Sequence, residues 1–211
     1  MVLEAFENAP RWISEAIAEK AKEIKGIVEI NQHLAEGEKP RRSHYSETEK
    51  TIRMDSRIDP EEYQITFQHE MGHFIDDAKD RISLGENFYF SIEADKDQYN
   101  RGSEFGMENF ERLLTELSEN EDIMSNRYVS DILSAVFRND TAVRKIYENN
   151  YQAFYGHDNW YWMEREGSVQ KEIFANLFAI YTENNENSVN FVERNFPNIV
   201  SRFKKEMNAD G

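Results

Sequence analysis

The sequence predicts an α+β chain, with a small mixed sheet near the start, one long helix after it and a mostly helical C-terminal part. Three observations predict this. Ile52 and Met54 alternate with polar neighbours in Lys50-Thr51-Ile52-Arg53-Met54-Asp55, the period of a half-buried strand. Asp59, Pro60 and Glu62 together punctuate a helix start: an N-cap, a proline at the first position and an acid at the third. Apolar residues then recur on helical faces through the second half of the chain.

Taken in order, a first helix is expected from Pro10 to Lys25, capped by Asn8 and ended by Gly26. Gly26 to Ile30 reads as a short strand and Asn31 to Pro40 as a polar loop. Ser43 to Asp55 reads as strand, turn, strand. The helix opened by Asp59 should run to about Asp80. Gly85 to Asn109 reads as irregular, because polar and aromatic residues mix there without a clear period. Met107–Leu117 and Tyr128–Phe137 read as helices, and Asn149–Gly167 as an aromatic-rich loop. Ser168 is expected to cap a helix over Val169–Thr182, followed by Ser188–Arg194 and Pro197–Met207. No repeat or Pro/Gly-rich linker divides the 211 residues, so one domain is expected. Its parts are an N-terminal helix and strand over 1–42, a core over 43–182 and C-terminal helices over 183–211.

Composition excludes several functions. The net charge of −16 argues against a nucleic-acid face, which needs clustered Lys and Arg. The chain has no cysteine, so a metal site must use His and carboxylates. No apolar run approaches the length of a membrane span, so no membrane partner is expected. Met1 to Pro10 carries two Glu residues and no basic stretch, unlike a secretory signal, which points to a cytoplasmic protein.

The long helix carries His69-Glu70-Met71-Gly72-His73. Positions i and i+4 share one helix face, so both imidazoles can reach one ion. Glu70 lies beside them, where it can take a proton from a water that the ion has acidified. One zinc ion is the expected cofactor. Gly72 should allow close approach of another element, and Met71 should face the core. A catalytic zinc takes three protein ligands and leaves one position open. Three residues compete for the third place. Glu172 is preferred, since a carboxylate among apolar neighbours needs a partner. Asn176, one turn later, could accept the free N–H of a ligating histidine. Asp77 is the runner-up, although it could instead cap or orient a neighbour. Asp76 and Asp77 together read as a solvated face. His157, in the aromatic loop, is the third candidate.

Tyr151, Tyr155 and Tyr161 precede Glu172, and a hydroxyl near the metal could steady a tetrahedral oxyanion. Tyr155 and Tyr161 are the two candidates for that role. The strand Thr51–Asp55, just ahead of the metal helix, could offer a free edge to an extended peptide.

These residues resemble the gluzincin group of zinc metallopeptidases: an HExxH helix, then a Glu on a later helix with Asn or Asp one turn on. In the lethal-factor type, the similar stretches here are His69 to Asp77 and Glu172-Ile173-Phe174-Ala175-Asn176-Leu177-Phe178. The metallopeptidase-like domain of phage minor-head and head-morphogenesis proteins is similar over more of the chain. Its pieces are Ser130-Asp131-Ile132-Leu133, then Tyr155-Gly156-His157 with Tyr161-Trp162, then the Glu172 helix. The resemblance implies a zincin-like fold, zinc on His69, His73 and Glu172, Glu70 as general base and an oxyanion-stabilising tyrosine. In the lethal-factor type that tyrosine lies seven positions before the ligand Glu. Arg165 stands there here, so the role passes to Tyr155 or Tyr161. The resemblance further implies a peptidase of phage or prophage origin acting on a protein or peptide, in a bacterial cytoplasm or associated with a virion, with phage structural proteins as possible partners. The alternative is a non-catalytic head-assembly module in which zinc only staples the fold. The long stretch Gly85–Asn149 should build helices beside the cleft.

Overall fold

A computed structural model describes residues 6–34, 37–138, 140–149, 155–157, 159–164 and 166–208. It is an α+β arrangement, mostly helical, with one three-stranded sheet. Helix α1 (Arg11–Lys20) is followed by β1 (Gly26–Ile30), β2 (His44–Ser46) and β3 (Thr51–Asp55). The helix is shorter than expected at its C-terminal end. Lys25 already donates its amide to Lys50 O, so the chain has left the helix and joined the sheet before Gly26. The residue before α1 is Pro10, and no side chain caps it, so Asn8 does not.

The sheet order is β1-β3-β2, with β1 parallel and β2 antiparallel to β3. The mixed sheet expected from sequence is therefore present, but β3 is its central strand. Gly26–Ile30 pairs along its full length, which removes the free edge expected at Thr51–Asp55. Ile52 and Met54 are fully buried, as their alternation implied.

Helix α2 (Pro60–Ala78) starts as the sequence indicates, with the Asp59 carboxylate accepting from Glu62 N at 2.9 Å. Glu62 does not reach back to complete a capping box, and instead accepts from Arg127 Nη1. A 3-10 turn (Ile82–Leu84) leads to α3 (Glu86–Asp97), then α4 (Glu104–Glu119), α5 (Glu121–Ser125), α6 (Arg127–Phe137), α7 (Thr141–Glu148), α8 (Asn159–Glu164), α9 (Ser168–Glu183), α10 (Glu186–Asn195) and α11 (Pro197–Glu206).

Two segments read as irregular are thus helical. In α3 the helical face is real but narrow: Phe88, Ile92 and Asp95 are buried, while Tyr89 and Phe90 beside them are exposed and blur the period. In the expected aromatic loop, residues 159–164 form α8; Tyr151 and Phe154 lie outside the described residues. Ser168 is the first residue of α9 rather than its cap. The preceding Gly167 takes φ +77, and Ser168 Oγ donates to Trp162 O.

Helices α2 and α9 form the centre of the molecule. They meet at Gly72, where an added Cβ would stand 2.7 Å from Ala175 Cα and 2.9 Å from Ala175 O. Only a glycine permits that approach, and Met71 beside it is buried as expected. Around this crossing, Phe174 of α9 packs against Phe88 and Phe203, at ring distances of 6.1 and 4.9 Å. Trp12 of α1 lies on Tyr181 and Phe203. Each such ring contributes about 2–3 kcal/mol by leaving water. The last helix is tied by Asp95 of α3, whose buried carboxylate accepts from Asn198 N, Asn198 Nδ2 and Ile199 N at the start of α11. Among the described residues, no helix is long and apolar enough to cross a membrane.

Candidate metal centre

Helix spacing brings the two imidazoles of α2 together. Nε2 of His69 and Nε2 of His73 lie 3.1 Å apart, with ring planes near perpendicular. Helix α9, clamped at Gly72 and Ala175, then delivers Glu172 from one turn below the crossing. Its Oε2 lies 3.2 Å from His69 Nε2 and 3.6 Å from His73 Nε2. These are the donor atoms of the one group of three or more metal-capable side chains found among the described residues.

The donors fit zinc in kind and spacing. Bonds of about 2.0–2.2 Å in tetrahedral geometry place neighbouring donors about 3.3–3.5 Å apart. The three edges here, 3.1, 3.2 and 3.6 Å, bracket that value. Two facing imidazole nitrogens at such a distance also repel unless a cation or proton lies between them.

The tautomer is set from outside the cluster. Asn176 is fully buried, and its Oδ1 accepts from His69 Nδ1 at 3.0 Å, as expected from its place one turn after Glu172. The proton on Nδ1 leaves the Nε2 lone pair for a metal. The other end of this amide, Nδ2, has no partner among the described residues.

Opposite charges couple within the cluster. Burial works against a charged His69, but the Glu172 carboxylate outweighs it and raises His69 to about 9. Burial likewise opposes ionisation of Glu172, and the two imidazoles outweigh it and hold the carboxyl well below its usual range.

Glu70 is nearly buried, and its Oε2 accepts from Tyr45 N at 2.7 Å. Strand β2 thus fixes this carboxylate through a backbone amide. Tyr45 also reaches α2 a second time, donating its hydroxyl to Asp77 Oδ2 at 2.7 Å. The same oxygen takes Lys50 Nζ at 2.5 Å. Burial raises Asp77, but Lys50 and Tyr45 overcome it and the carboxyl titrates below its usual value. Asp77 is therefore an anchor for β2, not a member of the donor cluster. Asp76 is no solvated side chain either. It is 2% exposed and accepts from both Ser83 N and Ser83 Oγ.

Of the tyrosine candidates, Tyr161 on α8 reaches the centre and donates to Glu172 Oε1 at 2.6 Å. Burial, and after it the Glu172 charge, raises its pKa well above that of a free phenol. Tyr155 points elsewhere. Its ring packs on Tyr147 at 5.3 Å, its hydroxyl has no hydrogen-bond partner among the described residues, and burial pushes it up to about 12. His157 is not among the clustered donors. Its ring lies flat on Tyr161, 3.8 Å away. Tyr151 lies outside the described residues.

Two contributors escaped the sequence reading. Tyr45 acts through its backbone amide, which no side-chain pattern can reveal. Asp131 of α6 faces the charges of His69 and Glu172; burial, with Glu172 adding to it, pushes this acid up to about 7. Its only signal in the sequence was its place in the Ser130–Leu133 stretch.

Compared with family models, with curated proteins and with solved structures, the chain finds no match in any of the three.

Proposed function

We propose that this chain is a zinc-dependent peptidase of zincin-like, gluzincin type, in which His69, His73 and Glu172 hold the metal and Glu70 is the general base. The observation that carries the reading is the convergence of three donors from two helices with near-tetrahedral spacing, beside a nearly buried carboxylate that belongs to neither pair of contacts. A zinc ion there supplies a Lewis acid that polarises a peptide carbonyl and acidifies a water.

The chain's own groups do the rest. Glu70 takes a proton from the attacking water and passes it to the leaving amine. Its Oε2 is steadied by Tyr45 N, and Oε1 makes no hydrogen bond with the described residues, which suits it to receive that proton. The Tyr161 hydroxyl lies at the centre and, like any phenol, is protonated at neutral pH, so it can turn from Glu172 Oε1 to donate to a tetrahedral oxyanion. We assign that role to Tyr161 and none to Tyr155. With β3 enclosed, the strand beside Glu70 is β2, and an extended peptide substrate would run along it.

A phage or prophage origin is part of the same proposal. It rests on the resemblance of the Ser130–Leu133 stretch and of Tyr155-Gly156-His157 with Tyr161-Trp162 alone. A stapling zinc in a non-catalytic module would call for four protein ligands, and the described residues offer three.

Metal analysis and a fluorogenic peptide library test the proposal together. The purified protein should hold about one zinc per chain. Glu70→Gln should keep zinc and fold but lose about 10²–10⁴-fold in hydrolysis; unchanged cleavage would remove Glu70 from the mechanism. Glu172→Ala should lose zinc to a chelator that the parent resists. Equal retention would place the third ligand elsewhere.

A further inference from the structure

The two oxygens of Glu172 have different partners. Oε2 faces the imidazole nitrogens, and Oε1 accepts the hydroxyl of Tyr161. The terminal torsion of a glutamate is broad, so an unrestrained carboxylate can offer a cation one oxygen or both. A hydroxyl seated on Oε1 removes that choice.

Tyr161 is itself held in place by a chain of contacts that starts on α6. Gly156 N donates to Ser130 Oγ, and His157 N donates to Ser134 Oγ at 3.2 Å. Ser130 and Ser134 are one helical turn apart on a single face of α6. Gly156 sits so close that a Cβ would collide with Ser134 Oγ and come within 2.5 Å of Asp131 Oδ1 and 2.9 Å of Asp131 Cα. The docked His157 then presents its imidazole to Tyr161, with 16° between the ring planes. Trp162 Nε1 donates to His157 O at 3.3 Å and closes the loop, while the indole meets Tyr161 edge-on. Helix α8 has six residues and could not fix a side chain alone.

We propose that residues 155–157 and 159–162, docked on α6 through Ser130 and Ser134, position Glu172 through His157 and Tyr161 as a one-oxygen ligand and so keep one coordination position of the metal open. This inference rests on the metal-centre reading above. In it His157 is a positioning residue, and Tyr161 positions Glu172 before substrate arrives.

Cobalt(II) loaded in place of zinc reports coordination number through its visible absorption, and a competing chelator reports affinity; neither needs a substrate. The parent should give the intense spectrum of a four-coordinate ion. Tyr161→Phe keeps the ring and its stack and loses only the hydroxyl. It should bind cobalt, show a several-fold weaker visible band as the second oxygen enters, and hold zinc about 10-fold less tightly. His157→Ala should behave like Tyr161→Phe, and His157→Phe, which refills the stack with a flat ring, should restore the parent spectrum. If Tyr161→Phe has the parent's spectrum and affinity, or if the two His157 variants behave alike, the positioning chain is wrong while the metal centre stands. If the parent binds neither cobalt nor zinc, the metal centre itself is wrong.

Discussion

The two walls of the candidate centre are built on different principles. One is the seam between α2 and α9, which carries His69, His73 and Glu172. Its geometry is set by backbone packed on backbone at Gly72 and Ala175, with fully buried Phe74, Phe174 and Phe178 nearby. The other wall is β2 on one side and residues 155–157 and 159–164 on the other. It holds the Glu70 carboxylate and the segment before α8 by hydrogen bonds: Tyr45 N to Glu70, Gly156 N to Ser130 Oγ and His157 N to Ser134 Oγ. A close-packed seam admits no partial adjustment, whereas a hydrogen bond contributes about 1 kcal/mol and can be remade. The groups that must stay fixed lie on the first wall. In the proposed mechanism, the contacts that orient the proton-handling Glu70 and the oxyanion donor Tyr161 come from the second.

This contrast can be broken at its strongest point first. Gly72→Ala would gain about 1 kcal/mol in helix propensity, yet its methyl would press on Ala175 backbone atoms that cannot move aside. We expect a net loss of about 3 kcal/mol, read as a fall in Tm of about 6–12 °C, with weakened zinc retention. A variant as stable as the parent would mean that the seam is looser than its distances imply. Asn176 offers a smaller effect. Asn176→Leu should weaken zinc binding by about 10–100-fold, because His69 loses the acceptor that fixes its tautomer. Asn176→Asp should bind zinc at least as tightly as the parent, since it keeps the acceptor and removes the unpartnered Nδ2. Chelator competition measures both, and a Leu variant with the parent's affinity would show that Asn176 does not govern the ligand. Tyr155→Phe should be the mildest. It deletes a buried hydroxyl without a partner among the described residues, so stability should stay level or rise by about 1 kcal/mol. Peptide hydrolysis should be unchanged, and a large loss of activity would return the catalytic role to Tyr155.

The same contrast explains what the sequence made legible. The first wall is written in periodic signals: an i, i+4 histidine pair, a glycine between them, an Asp-Pro helix start, and Glu172 with Asn176 one turn on. All of these act through helix geometry, so spacing along the chain converts directly into position. The second wall depends on which segments meet. The choice of Tyr161 over Tyr155 follows from the docking of Gly156 and His157 on α6, which is a tertiary fact. The hold on Glu70 comes from a backbone amide that every residue but proline carries. The enclosure of β3 depended on β1 arriving from the other side of a loop, and period-two alternation cannot distinguish a central strand from an edge. Helix α3 was missed because exposed Tyr89 and Phe90 sit beside buried Phe88 and mask its face.

The pairing of His69 with Asn176 spans 107 positions of chain. At translation rates of about 5–20 residues per second, the ribosome releases the histidines roughly 5–20 s before the helix that completes them. Through that interval the nascent chain carries an HExxH segment with no carboxylate to close it and no seam to hold it rigid. If the chain is a peptidase and His69, His73 and Glu172 hold its metal as proposed, newly made chain would be inert toward its neighbours on the polysome. Hydrolytic competence would arrive late and all at once, when α9 drops into the groove beside Gly72.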